Sequence, residues 1–139
     1  MSKAKKRSKS MGFFLVIALV ILGIVLFQVY SPFAKTCKDD ICFTKNSDSC
    51  KYVKFEQIQD GNFIDYVSKN CVLVKTVSKV NDSEIREVKD SIEGKSMVCR
   101  YSKGNFDPQW VSSLSLGFER CEGDLKDGVE NLIQSAFTD

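Results

Sequence analysis

The residues with the most distinctive chemistry in this chain are its six cysteines: Cys37, Cys42, Cys50, Cys71, Cys99 and Cys121. Thiols at such positions either pair with one another or hold a metal. The first spacings are C-x4-C and C-x7-C, followed by long gaps, and there is no C-x-x-C pair. There is also no histidine to complete a Cys/His zinc site. An even number of cysteines within about 100 residues reads as a disulfide framework of an exported domain, each bridge adding about 2–4 kcal/mol. Fifteen connectivities fit the spacing equally well. No metal or cofactor is expected.

The missing histidine removes further chemistry, because Ser-His-Asp and Cys-His nucleophiles both require it. Serines and lysines are too numerous to single out a Ser–Lys pair. The Asp and Glu residues fall on polar faces or in turns, where a solvated carboxylate is the default, rather than as a glycosidase pair. Gly94, Gly104, Gly117, Gly123 and Gly128 form no phosphate-binding pattern. No catalytic residue is assigned. Two features remain as candidate sites. Phe106 and Trp110 lie in a loop rich in Asn, Asp, Pro and Gln, where aromatics could anchor an interface, although burial beneath the loop is the simpler reading. Asn81-Asp82-Ser83 is an N-glycosylation sequon in an expected turn, which makes Asn81 the acceptor.

These residues are carried on a chain of three unlike parts. Residues 1–10 are a basic tail with Lys3, Lys5, Lys6, Arg7 and Lys9 and no acid. Residues 11–30 hold no charge and are interrupted only by Gly12, Gly23 and Gln28. About 20 apolar residues suffice for a helix to cross the roughly 30 Å of bilayer hydrocarbon. Residues 31–139 carry 15 cations and all 18 acids, a formal charge near −3. The positive flank predicts a cytoplasmic N-terminus and an exported C-terminal part. A cleaved signal peptide shares the basic start, but its apolar core is normally 7–15 residues. Pro32 also sits badly for cleavage after Ala34 or Ser31. Cys37 lies too far beyond the apolar run for a lipoprotein. The basic cluster is where a membrane protein needs it, so nucleic-acid binding is not expected.

The expected organisation is a cytoplasmic tail (1–10), a signal-anchor span (11–30), a juncture (31–36) containing Pro32, and an exported α+β domain (37–139). Within the domain, residues 37–50 read as a short helical turn pinned by cysteines. Val53 and Phe55 alternate with Lys54 and Glu56 as a half-buried strand. Asp60-Gly61 is a turn, Phe63 to Val67 the next strand, and Ser68-Lys69-Asn70 a second turn. In the strand Cys71 to Val80, Leu73 and Val77 share a face with Lys75 and Lys79, and the lysines suggest that this face is solvated. Asp82 or Ser83 could cap a short helix through Ile85, Val88 and Ile92, closed by Gly94. Met97, Cys99 and Tyr101 point one way along a further strand. Pro108 could start a helical turn. Asp124 could cap a final amphipathic helix presenting Leu125, Val129, Leu132, Ile133, Ala136 and Phe137. The fold class is thus a small antiparallel sheet packed by a C-terminal helix and stabilised by disulfides.

Cys37-Lys38-Asp39-Asp40-Ile41-Cys42-Phe43, Cys50, Glu93-Gly94-Lys95-Ser96-Met97-Val98-Cys99 and Cys121-Glu122-Gly123-Asp124-Leu125-Lys126 occur in that order. This outline resembles a set of small membrane-anchored, cysteine-containing exported proteins of DPANN-type archaea, with Ile92 where that set usually has Leu. The resemblance covers most of residues 37–126 and implies an exported, cysteine-bridged domain without implying a reaction. The expected partners are the lipid bilayer, through residues 11–30, and a surface or envelope protein. The expected role is a non-enzymatic binding or envelope-structural module in the cell membrane. A pilin-like filament subunit, processed between Gly12 and Phe13, and an exported hydrolase are the alternatives. The pilin reading is weakened by Ile17, five residues into such a mature chain, where a glutamate is typical of major bacterial pilins.

Overall fold

The computed structural model describes residue 17, residues 19–21 and residues 33–137. The chain separates into two units, 1–33 and 34–139. In the first, Ile17 and residues 19–21 are helical and exposed. The expected tail, and the expected span apart from those four residues, lie outside the described residues. Among the described residues no helix is long and apolar enough to cross a membrane.

The second unit runs β1 (Lys35–Thr36), α1 (Asp40–Asp48), β2 (Val53–Gln59), β3 (Asn62–Lys69), β4 (Val72–Lys79), α2 (Arg86–Ile92), β5 (Ser96–Arg100), α3 (Gln109–Ser112), a 3-10 turn (Phe118–Arg120), β6 (Cys121–Glu122) and α4 (Asp124–Ala136). All six strands form one sheet in sequential order. Neighbours are antiparallel except β1 and β2, which are parallel. The sheet is therefore mixed, not purely antiparallel as expected. The reason is α1: a helix between two adjacent strands returns the chain to the end where it started, so the second strand must run the same way.

Both hairpin turns use left-handed backbone. Asp60 and Gly61 have φ of 53° and 81°, the pattern of a two-residue turn whose twist matches the flanking strands. The second turn lies one step beyond its expected place. β3 continues through Lys69, and Asn70 and Cys71, at φ 53° and 61°, reverse the chain. Cysteine is not a turn-forming residue by propensity. Here its disulfide to Cys50 anchors the position.

Alternation places Val53, Phe55, Ile64, Tyr66, Leu73, Val77, Met97 and Cys99 on the buried face. Val67, Val74 and Val98, which are cross-strand neighbours, lie half-buried on the other. The buried face is covered by several elements, and not by the C-terminal helix alone. α1 packs on β2, while α4 packs on α2 and β5. Residues 101–118 cover the centre with an aromatic cluster: Phe106 makes edge contacts with Phe43, Tyr101 and Trp110, and Phe43 meets Phe55 and Tyr66.

The helix starts follow their local chemistry. Residues 37–50 form a nine-residue helix, longer than a single turn, capped where the Asp39 carboxylate accepts from the Cys42 amide at 2.6 Å. α2 begins at Arg86 with no side-chain cap. Neither Asp82 nor Ser83 caps it, because the helix starts late enough to put Ile85 at the cap position, while Ser83 donates its amide to the Asn81 side chain in the preceding turn. Gly123 occupies the cap position of α4 at φ 123°, and Asp124 is its first residue. Gly128, in the middle of α4, faces the Ser91 carbonyl so closely that a Cβ there would overlap it. The glycine sets the approach of α4 to α2.

Candidate functional site

All six cysteines are paired: Cys37–Cys42, Cys50–Cys71 and Cys99–Cys121, with sequence separations of 5, 21 and 22. Each joins a connecting segment to the sheet or closes neighbouring strands. The first ties the β1 exit to α1. The second ties the α1 exit to the β3–β4 turn. The third staples β5 to β6 at the registered pair Cys99–Cys121.

The most unusual side chain in the domain is Lys75, in the middle of β4. Its parity puts it with Leu73 and Val77, and that face is the buried one. Lys75 is only 2 % exposed. The expectation that the lysines mark a solvated face is corrected here, since only Lys79, at the strand end, reaches solvent. Lys75 can be buried because the covering segment presents it with acceptors. Its Nζ donates to the Trp110 carbonyl at 3.0 Å and the Ser113 carbonyl at 2.6 Å, and lies 5.5 Å from the centre of the Tyr66 ring. Tyr66 donates its hydroxyl to the Val111 carbonyl at 3.2 Å, and Gln59 donates its side-chain amide to the Ser112 carbonyl at 3.2 Å.

Four consecutive carbonyls at the end of α3 are thus received by three side chains of the sheet. The last carbonyls of a helix have no partner within it, and a cation is favoured there by the helix dipole. Lys75, Tyr66 and Gln59 together cap α3. Burial pushes the Lys75 amine down to about 8, and it pushes the Tyr66 phenol up. Near neutral pH Lys75 therefore keeps its charge, which the two carbonyls and the aromatic ring compensate. The space bounded by Lys75, Met97, Cys99, Trp110, Leu114 and Phe118 has no room for a water molecule. The geometry is that of a structural latch, in which the amine meets protein on every side. Sequence parity alone could have exposed this residue: a lysine flanked at i−2 and i+2 by Leu and Val belongs to their face whatever its charge.

In the candidate binding loop Phe106 is 7 % exposed and Trp110 3 %, so both lie beneath the loop, the simpler of the two readings. Trp110 also donates its indole N–H to the Gly117 carbonyl, which folds residues 110–117 onto themselves. Asn81 is half-buried against the β2–β3 turn. Its backbone amide donates to the Asn62 side chain at 2.8 Å, and its side-chain nitrogen, the atom a glycan would occupy, donates to the Asp60 carbonyl at 3.2 Å. Any Cβ added at Gly61 would meet this amide. In the folded domain the sequon asparagine thus closes a turn.

Two openings flank α4. One, of about 720 Å³, lies between α2 and α4 and mixes Arg86 and Lys95 with Asp90, Asp124 and Asp127. The other, of about 380 Å³, is an apolar groove among Val88, Ile92, Leu114, Val129, Leu132 and Ile133. Among the described residues no three Cys, Asp or Glu side chains are grouped so as to hold a metal ion. Comparison with known proteins finds no matching family model, no matching curated protein and no matching solved structure.

Proposed function

We propose that the chain is a single-pass membrane protein with its N-terminus in the cytoplasm and its disulfide-bonded domain on the outer side, acting there as a non-enzymatic binding or envelope-structural module. The observation that carries this reading is the pairing of all six cysteines. Every one lies beyond the apolar run, and such bridges persist in oxidising compartments. The uncharged residues 11–30 and the five cations before them supply a span and its orientation. Lys75, whose amine burial pushes down, gives its hydrogen bonds to backbone carbonyls, which suits a scaffold.

Intact mass of protein extracted from native membranes, with and without thiol alkylation in the absence of reductant, tests the proposal. A full-length mass that alkylation does not change is expected. A chain beginning at Phe13 would replace it with the filament-subunit reading. A chain beginning after residue 30 would make the protein secreted. Six alkylatable thiols would overturn the exported topology.

A further inference from the structure

The exported domain is acidic overall, yet one end of its sheet is basic. β1 pairs in parallel with β2 from Lys35 opposite Val53, and the Lys35 amide donates to the Tyr52 carbonyl. Lys51 precedes β2 at that end. Lys69 ends β3 with its ammonium 4.9 Å from the Tyr52 ring centre. Arg100 ends β5 opposite Val72, the first residue of β4. Lys103 follows in the loop whose Gly104 amide donates to Asp48. All five cations are exposed. Four inter-strand steps separate β1 from β5, so the row is about 19 Å wide. At this end Asp48 is half-buried and its carboxylate accepts from the Phe106 amide, while the exposed Glu119 and Arg120 lead into β6 beside the Arg100 end of β5. At the opposite end of the sheet Asp60, Asp82, Glu84 and Glu93 are exposed.

The basic end is also where the chain enters the domain. β1 starts there, and only residues 31–34 separate it from the uncharged run 11–30. Four residues span at most about 14 Å, nearly twice the Debye length of about 8 Å at physiological salt, so a linker short of full extension brings the row within range of a lipid surface. We propose that this end of the sheet, through Lys35, Lys51, Lys69, Arg100 and Lys103, docks on anionic phospholipid headgroups and holds the domain against the bilayer with its acidic end outward. The inference rests on the membrane-anchored reading. Its physical basis is that cations within a Debye length of an anionic lipid surface are attracted to it individually, and this row offers five of them together.

The full chain reconstituted in vesicles provides the test, with phosphatidylcholine alone compared with phosphatidylcholine containing phosphatidylglycerol. A membrane-impermeant amine-acylating reagent is added outside, and peptide mass spectrometry follows each lysine. In the anionic vesicles, Lys35, Lys51, Lys69 and Lys103 are expected to react about fivefold more slowly relative to Lys79 and Lys89 than in neutral vesicles. Added salt should abolish the difference. The exposed double variant Lys69→Glu/Arg100→Glu, with an unchanged melting temperature, should lose the protection at Lys35, Lys51 and Lys103. Equal relative labelling in both vesicle types, for chains that stay with the vesicles through an alkaline carbonate wash, would overturn the docking proposal while leaving the anchor intact. Release of the chain by that wash would overturn the anchor itself.

Discussion

A lysine in the centre of a sheet face is held there by opposing terms. Desolvation disfavours its charge, while the Trp110 and Ser113 carbonyls and the Tyr66 ring favour it. Burial wins by enough to bring the amine from the ordinary lysine value of 10.5 down to about 8. The sign of the pH dependence follows. Between pH 8 and 10.5 the unfolded chain holds a proton that the native chain has released, so stability rises with pH through that window. Below pH 8 both states are protonated and the contribution is flat. The unfolding free energy of the wild type minus that of Lys75→Met should therefore increase by about 2 kcal/mol between pH 8 and 10, at roughly 1.4 kcal/mol per pH unit at most. Urea titrations at half-unit intervals would measure it. A difference that stays constant, or that falls, would mean that Lys75 is not buried as a cation. Tyr66, whose phenol burial raises, pulls the other way above pH 10. It is present in both proteins and largely cancels.

At the scale of elements, the tightest constraint is the crossing of α2 and α4. Gly128 lies where any Cβ would run into the Ser91 backbone carbonyl, and backbone cannot give way as a flexible side chain can. Gly128→Ala normally gains about 1 kcal/mol of helix propensity. Here it should instead destabilise the domain by about 1–3 kcal/mol as an overpacked contact, lowering the midpoint in thermal or urea unfolding. Neutral or increased stability would show that α4 can slide. The amphipathic pattern of α4 is plain in the sequence. The depth of its burial is not. Leu125 and Val129 are buried, whereas Leu132 and Ile133 are only partly covered and Phe137 is 86 % exposed. The periodicity marks an apolar stripe; how much of it finds a partner depends on where the sheet and α2 end.

For the molecule as a whole, the disulfides divide the labour unequally. By loop-closure entropy, a separation of 5 removes about 2 kcal/mol from the unfolded ensemble and separations of 21 and 22 about 3.4 kcal/mol each. Replacing Cys50 with Cys71, or Cys99 with Cys121, by serine pairs should thus cost about 3 kcal/mol in chemical unfolding, and replacing Cys37 with Cys42 about 2 kcal/mol. A reversed order would place the stabilisation in native contacts. What the sequence by itself determined is what is local: the uncharged run, the disulfide-forming set of cysteines, the Asp60-Gly61 turn, and the parity of each strand. Those follow from side-chain type and short-range geometry. Only the tertiary structure decided which of fifteen cysteine pairings forms, that β1 lies parallel to β2, and that Phe106 and Trp110 belong to the core. It also decided that the Lys75 face is the covered one. Such outcomes depend on which segments meet across long separations, and a polar side chain can be buried only where a distant stretch of backbone brings carbonyls to it.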